Sequence, residues 1–149
     1  MNHVMRLAIG VLLVLAAAAA VASPAGEEDA VKAVVQSAYV EGVHAKGDPA
    51  LMRKGFHPDF RMLVLKDGKM GAVTLEEWVG RLEEQNKKEP NARRPAIRAD
   101  FPIVDINGNA AAVKVELYRD GKHTFTDYLS LYKFADGWMI VGKIFQLHT

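Results

Sequence analysis

Apolar residues change their spacing along this chain, and each spacing predicts a different kind of element. Residues 7–21 form an unbroken apolar run of 15. Residues 27–46 instead carry a stripe, Val31, Val34, Val35, Ala38, Gly42 and Ala45, at the three- and four-residue intervals of one helix face. Glu27, Glu28 and Asp29 put negative charge in the first turn, where the helix dipole favours it, and Gly47 is the expected C-cap. Asp48 then reads as the N-cap of a short second helix over 49–54, with Pro49 at its first position and Gly55 ending it. A strand over 56–65, interrupted at its start by His57-Pro58, turns at Asp67-Gly68 into a short partner over 70–73. Thr74 and Glu77 form a capping box for a third helix, whose apolar face is Leu75, Trp78, Val79 and Leu82.

Beyond Pro90 the period falls to two. Strands are expected over 97–106, 110–119, 122–134 and 138–147, joined at Asn107-Gly108, Asp120-Gly121 and Asp136-Gly137. Phe125, Leu129 and Leu131 make an apolar row that Asp127 interrupts, and Met139, Val141 and Phe145 make another that Lys143 interrupts. A turn at Asp136-Gly137 that pairs 134 with 138 sets 129 opposite 143 and 127 opposite 145. Asp127 and Lys143 are then diagonal neighbours on one face. A plain two-residue turn at Asp120-Gly121 would put Lys114 and Glu116 on that face, so a bulge is expected there to bring round Val113, Val115 and Leu117. Helices first and a meander last indicate one α+β domain over 27–149, three helices in its N-terminal half packed on a curved antiparallel sheet.

Composition adds a compartment. Met1 to Arg6 carries one positive charge, the run at 7–21 follows, and Ala20-Val21-Ala22 supplies the small residues of a cleavage site. That order is a secretory signal, and the run is shorter than the roughly 18–20 residues of a spanning helix. Cleavage after Ala22 would leave a short flexible leader over 23–26 and a mature chain of 127 residues. Losing Arg6 takes the basic count from 19 to 18, equal to the 18 acidic side chains. A neutral domain has no global field to steer it to nucleic acid or an anionic membrane. The absence of cysteine excludes disulfides, a thiol nucleophile, cysteine-ligated zinc and lipidation at an N-terminal cysteine. These features together predict a periplasmic or secreted protein of a bacterial-type cell, with no stable membrane anchor after cleavage.

Tyr39 and Gly42 in the first helix, Gly47-Asp48, Phe56-His57-Pro58-Asp59, Phe125-Thr126-Asp127-Tyr128-Leu129 and the run from Asp136 to Phe145 carry a family resemblance. The chain resembles the nuclear transport factor 2-like superfamily, and within it the putative lumazine-binding and SnoaL-like proteins. The resemblance implies a cone-shaped fold with a pocket between sheet and helices, and frequently a homodimer formed through the sheet. It implies a ligand, but the superfamily also includes isomerases, dehydratases and modules without chemistry.

Inward polar residues are therefore the candidates. Asp127 and Lys143 form either a structural ion pair or a pocket pair, with Asp127 as base or acceptor and Lys143 orienting an anionic or carbonyl group. His57, with Asp59 two residues on, is either an acid-base group or a side chain capping the short helix. Tyr39, Trp78, Phe125 and Phe145 are expected to line an apolar pocket for a small apolar or aromatic ligand. His123 reads as solvated, and His44 and His148 have no recognisable partner. No cofactor or metal motif is present. The leading expectation is a binding or interaction module. One alternative is an isomerase or dehydratase using Asp127 or His57 as general base, and another is a dimer built on Tyr128, Tyr132 and Thr126. An Asp127 fully paired with Lys143 favours structure or binding, whereas an unpaired one favours catalysis.

Overall fold

The computed structural model describes residues 24–149. The apolar run, its cleavage site and Ser23 lie outside the described residues. α1 spans Pro24–Val34, so the leader expected before Glu27 is, from Pro24 onward, the first helical turn. Proline is at home there, because the first-turn amide it lacks would have no helical partner. The helix then widens into a π-helical segment, Val35–Ala45. Its end is marked by Lys46 N–H donating to the Glu41 carbonyl at 2.7 Å, five residues back instead of four. The wider turn rotates the buried stripe, so Tyr39, Val40 and His44 join Val35 and Ala38 inside.

α2, Pro49–Gly55, is capped as expected: the Asp48 carboxylate accepts from Ala50 N–H at 2.8 Å and Leu51 N–H at 3.3 Å. β1 (Phe56–Lys66) and β2 (Lys69–Thr74) form the small hairpin, with Asp67 and Gly68 both at positive φ. α3, Leu75–Lys88, starts at the Thr74–Glu77 capping box. The meander is β3 (Ile97–Asn107), β4 (Ala110–Arg119), β5 (Lys122–Phe134) and β6 (Gly137–Leu147).

One six-stranded sheet results, in the order β2-β1-β6-β5-β4-β3. It is mixed rather than wholly antiparallel, because β1 lies parallel to β6. The two strands are far apart in sequence, and no turn signal near either fixes their relative direction. The β4–β5 bulge falls where expected: Leu117 faces Phe125 while Tyr118 faces His123, leaving Thr124 unpaired. A second bulge was not anticipated. Phe134 pairs with Gly137 across a two-residue turn, and Val141 is then skipped between Leu131–Ile140 and Ser130–Gly142. The inward row of β6 is therefore Trp138 and Ile140 before the bulge and Lys143 and Phe145 after it, with Met139 and Val141 displaced from it. The extra residue cancels the shorter turn, so the register at Lys143 is the one expected.

The core gathers Val31, Val35, Phe56, Phe60, Val113, Val115 and Leu129 between the helices and the concave face. The helices touch at Gly55, where an added Cβ would lie 2.4 Å from the Ala38 Cβ. Gly55→Ala is expected to cost about 1–3 kcal/mol through overpacking. Urea unfolding measures this, with Ala38→Gly in the same chain recovering part of the loss. An unchanged midpoint in the single variant would show that the two helices can separate freely.

Candidate functional site

The polar residues of the concave face gather where the π-helical segment crosses β4, β5 and β6. Asp127 points inward from the middle of β5, opposite Val115 on one side and Phe145 on the other. It is 0 % exposed, and Lys143 beside it is 6 % exposed. The diagonal pair forms as the register implies: Lys143 Nζ donates to Asp127 Oδ1. The Tyr39 hydroxyl donates to the other oxygen, Oδ2, at 2.6 Å. Burial, and then the charge and hydrogen bond of Asp127, raise the Tyr39 phenol well above its ordinary value, so it stays a donor. Burial lowers Lys143, and the charge and hydrogen bond of Asp127 oppose that shift. The ammonium also lies 4.1 Å from the Phe145 ring centre, a cation–π contact.

A cavity of about 340 Å³ opens beside this triad. Tyr39, Trp78, Phe125 and Phe145 line it, with Lys143 at its wall and Met62 and Leu82 completing the apolar surface. Trp78 is held by an edge contact to Phe56 at 5.6 Å and stacks on Phe60 at 5.9 Å. Of the residues expected at the site, His57 is the one the fold takes elsewhere. Its ring stacks on Phe134 at 4.7 Å, and its Nδ1 accepts from Asp59 N–H at 3.1 Å. The local bond foreseen for it exists, but it pins the start of β1 and does not cap α2. A larger groove of about 580 Å³ runs between α1, α2 and the β5–β6 turn. Its Glu27 and Lys133 are already paired with each other, so the buried polar chemistry belongs to the smaller cavity.

Two further lining residues, His44 and Arg119, were not expected. His44 is 8 % exposed and meets the Tyr39 ring edge-on at 4.8 Å. Arg119 Nη2 donates to His44 Nδ1 at 2.8 Å. Burial, followed by the charges of Arg119 and Lys143, pushes the imidazole down to about 3, so it is neutral at physiological pH. A 3.6-residue helical period leaves His44 off the buried stripe, and only the π-helical widening brings it in. Arg119 was within reach of the sequence: it continues the inward row Val113, Val115, Leu117 by one more step of two.

The opposite face of β4 and β5 holds Glu116, His123 and His148, whose potential ligand atoms lie within 4.8 Å of one another. His123 Nε2 is 2.6 Å from Glu116 Oε2, which also accepts from the Thr126 hydroxyl at 2.6 Å. His148 Nε2 is 2.9 Å from that hydroxyl. Lys114 pairs with the other Glu116 oxygen at 2.7 Å. Hydrogen bonds from Lys114 and Thr126 lower the Glu116 carboxyl to about 2. These are residues that could hold a divalent cation, and as they stand their polar atoms satisfy one another. His123 and His148 are thus partnered where none was foreseen, and Thr126 is buried in this network instead of joining an exposed contact surface.

Residues 26–146, nearly all of the described chain, match the family described as "Putative lumazine-binding". The chain belongs to that family. Among solved structures it is similar to an NTF-2 like protein of unknown function from Silicibacter pomeroyi DSS-3, at 18 % identity and a TM-score of 0.70. That alignment covers 85 % of this chain and 100 % of the other. An NTF2-like protein of unknown function from Shewanella baltica OS155 aligns at 24 % identity and a TM-score of 0.70, covering 86 % and 98 %. At these identities the likeness establishes the fold, nuclear transport factor 2-like, and nothing finer. No curated protein is significantly similar to the chain.

Proposed function

We propose that this member of the putative lumazine-binding family is an exported module that binds a small aromatic ligand in the cone cavity. The observation that carries the reading is the cavity's make-up. Four aromatic side chains line about 340 Å³, a volume in the ordinary range for small-molecule sites. The buried acid behind its wall is already engaged on both oxygens by Tyr39 and Lys143. Proton transfer beside a carbonyl asks for a free base and an oxyanion donor. Asp127 is committed and His57 lies outside the lining, so binding is the better-supported reading. The family's description adds a flat heteroaromatic ring as a ligand type that such walls accept.

Export is inferred from the order of basic, apolar and small residues over 1–22. A homodimer is inferred from the outer sheet face. There Tyr128 on β5 pairs with Ile144 on β6, and Leu63, Leu65 and Met70 continue the apolar surface. Leu65 is 78 % exposed and Met70 is 74 % exposed, which is unusual for a soluble surface without a partner. The sheet-mediated homodimers that the superfamily resemblance implies support a second copy of the chain as the occupant.

Native mass spectrometry of the protein purified from its own host tests all three statements separately. The expected result is a dimer of 127-residue chains carrying one small molecule per chain, released on denaturation. An uncleaved chain would overturn export, a monomer would overturn the dimer, and an empty protein would overturn the ligand.

A further inference from the structure

We propose that the ligand of this cavity is an organic anion, an aromatic acid whose carboxylate is the missing counter-ion of Arg119 and accepts from His44. The inference rests on the cavity being a ligand site and names the chemical class it takes.

The charges around the cavity do not balance. Its lining includes Arg81, Arg119 and Lys143 and no carboxylate. Asp127, behind the wall, neutralises Lys143 and is fully used in doing so. Arg119 has no acidic partner among the described residues: its hydrogen bond goes to the neutral ring of His44, and its guanidinium lies 5.1 Å from the Phe125 ring centre. A half-buried guanidinium without a counter-ion is costly, and a bound anion would offset that cost.

The hydrogen-bond inventory leads to the same place. A guanidinium can only donate, so His44 Nδ1, which receives the Arg119 bond, is the acceptor nitrogen of the imidazole. The ring proton is therefore on Nε2. Both His44 Nε2 and Arg119 Nε are buried without a partner. Two N–H donors lacking acceptors, on adjacent side chains lining one cavity, call for acceptor oxygens. A cationic ligand would meet Arg119 with no acidic group in the lining to offset the repulsion. A neutral one would leave the charge of Arg119 unanswered. Inorganic phosphate would satisfy the donors but leave the walls of Trp78, Phe125 and Phe145 unfilled.

Isothermal titration of the purified protein with 2-naphthoate, its neutral analogue 2-naphthamide, and inorganic phosphate decides the matter. Binding of the acid is expected to be about 10- to 100-fold tighter than that of the amide, the worth of charge-assisted hydrogen bonds. Arg119→Met should abolish the preference while leaving the amide's affinity in place, and Arg119→Lys should retain part of it. Equal affinities for acid and amide would overturn the anion inference and leave the cavity as an apolar ligand site. Phosphate binding as tightly as the acid would overturn the aromatic class. Failure of both naphthalene compounds to bind would overturn the ligand-site reading together with it.

Discussion

Asparagine in place of Asp127 is expected to lower the unfolding free energy by about 3–5 kcal/mol at neutral pH. The side chain keeps its shape but loses its charge, and one of its two oxygens becomes an amide nitrogen. Tyr39 and Lys143 both donate to Asp127, so one of them must then face a second donor. The larger loss is electrostatic. Lys143 is 6 % exposed and has no other acidic partner in its hydrogen bonds, so its ammonium would sit in the wall uncompensated.

The protein's escape is to release that proton, which sets a ceiling on the cost. Neutralising a lysine costs about 1.4 kcal/mol for each pH unit between neutrality and its ordinary value, roughly 4–5 kcal/mol in all. The sign of the pH dependence follows. In the variant the unfolded chain holds a proton on Lys143 that the folded one lacks, so stability rises with pH towards about 10. The deficit against the parent should therefore shrink by about 2–3 kcal/mol between about pH 7 and pH 9. Replacing Lys143 by methionine in the same chain removes the stranded charge and should recover most of the loss. Urea unfolding of the parent, the single and the double variant measures each part. A double variant no more stable than Asp127→Asn would show that the loss came from shape and hydrogen bonding instead of the charge.

This pair was legible in the sequence because the sheet is built from local signals. Asp67-Gly68, Asp120-Gly121, Asp48-Pro49 and the Thr74 box each state their geometry within four residues. The β4–β5 bulge was legible too, since only an extra residue sets Val115 and Leu117 against the inward row of β5. The features that escaped notice depend on distant partners or on departures from regular periods. The parallel pairing of β1 with β6 has no local mark. The Val141 bulge and the shorter turn cancel, so the register at Lys143 is the one a longer turn without a bulge would give. His44 is invisible to a regular helical period because its segment is π-helical. His57 drew attention by its residue type, whereas its position at the start of β1 commits it to the Asp59 backbone and to Phe134.

His44 also supplies the second large effect, an acid sensitivity removable by one substitution. Its folded-state value of about 3 lies well below the ordinary 6.5, first because the ring is buried and then because Arg119 and Lys143 place positive charge beside it. Within that window the unfolded chain binds a proton on His44 and the folded chain does not. Stability is therefore full above about pH 6.5 and falls as the pH drops, by about 1.4 kcal/mol per unit and roughly 4–5 kcal/mol across the window. Glu116, held down to about 2 by Lys114 and Thr126, adds a loss of the same sign, but only once the pH nears ordinary carboxylate values. The interval between about pH 6.5 and pH 5 thus separates the two groups. His44→Asn keeps an acceptor near the position of Nδ1 for Arg119 and cannot take up a proton. Unfolding free energies measured across that interval should fall more steeply for the parent than for the variant, by about 1.4 kcal/mol per pH unit. Parallel curves would mean that the folded protein accommodates a charged imidazole beside Arg119, and with it that the cavity is less short of negative charge than its lining implies.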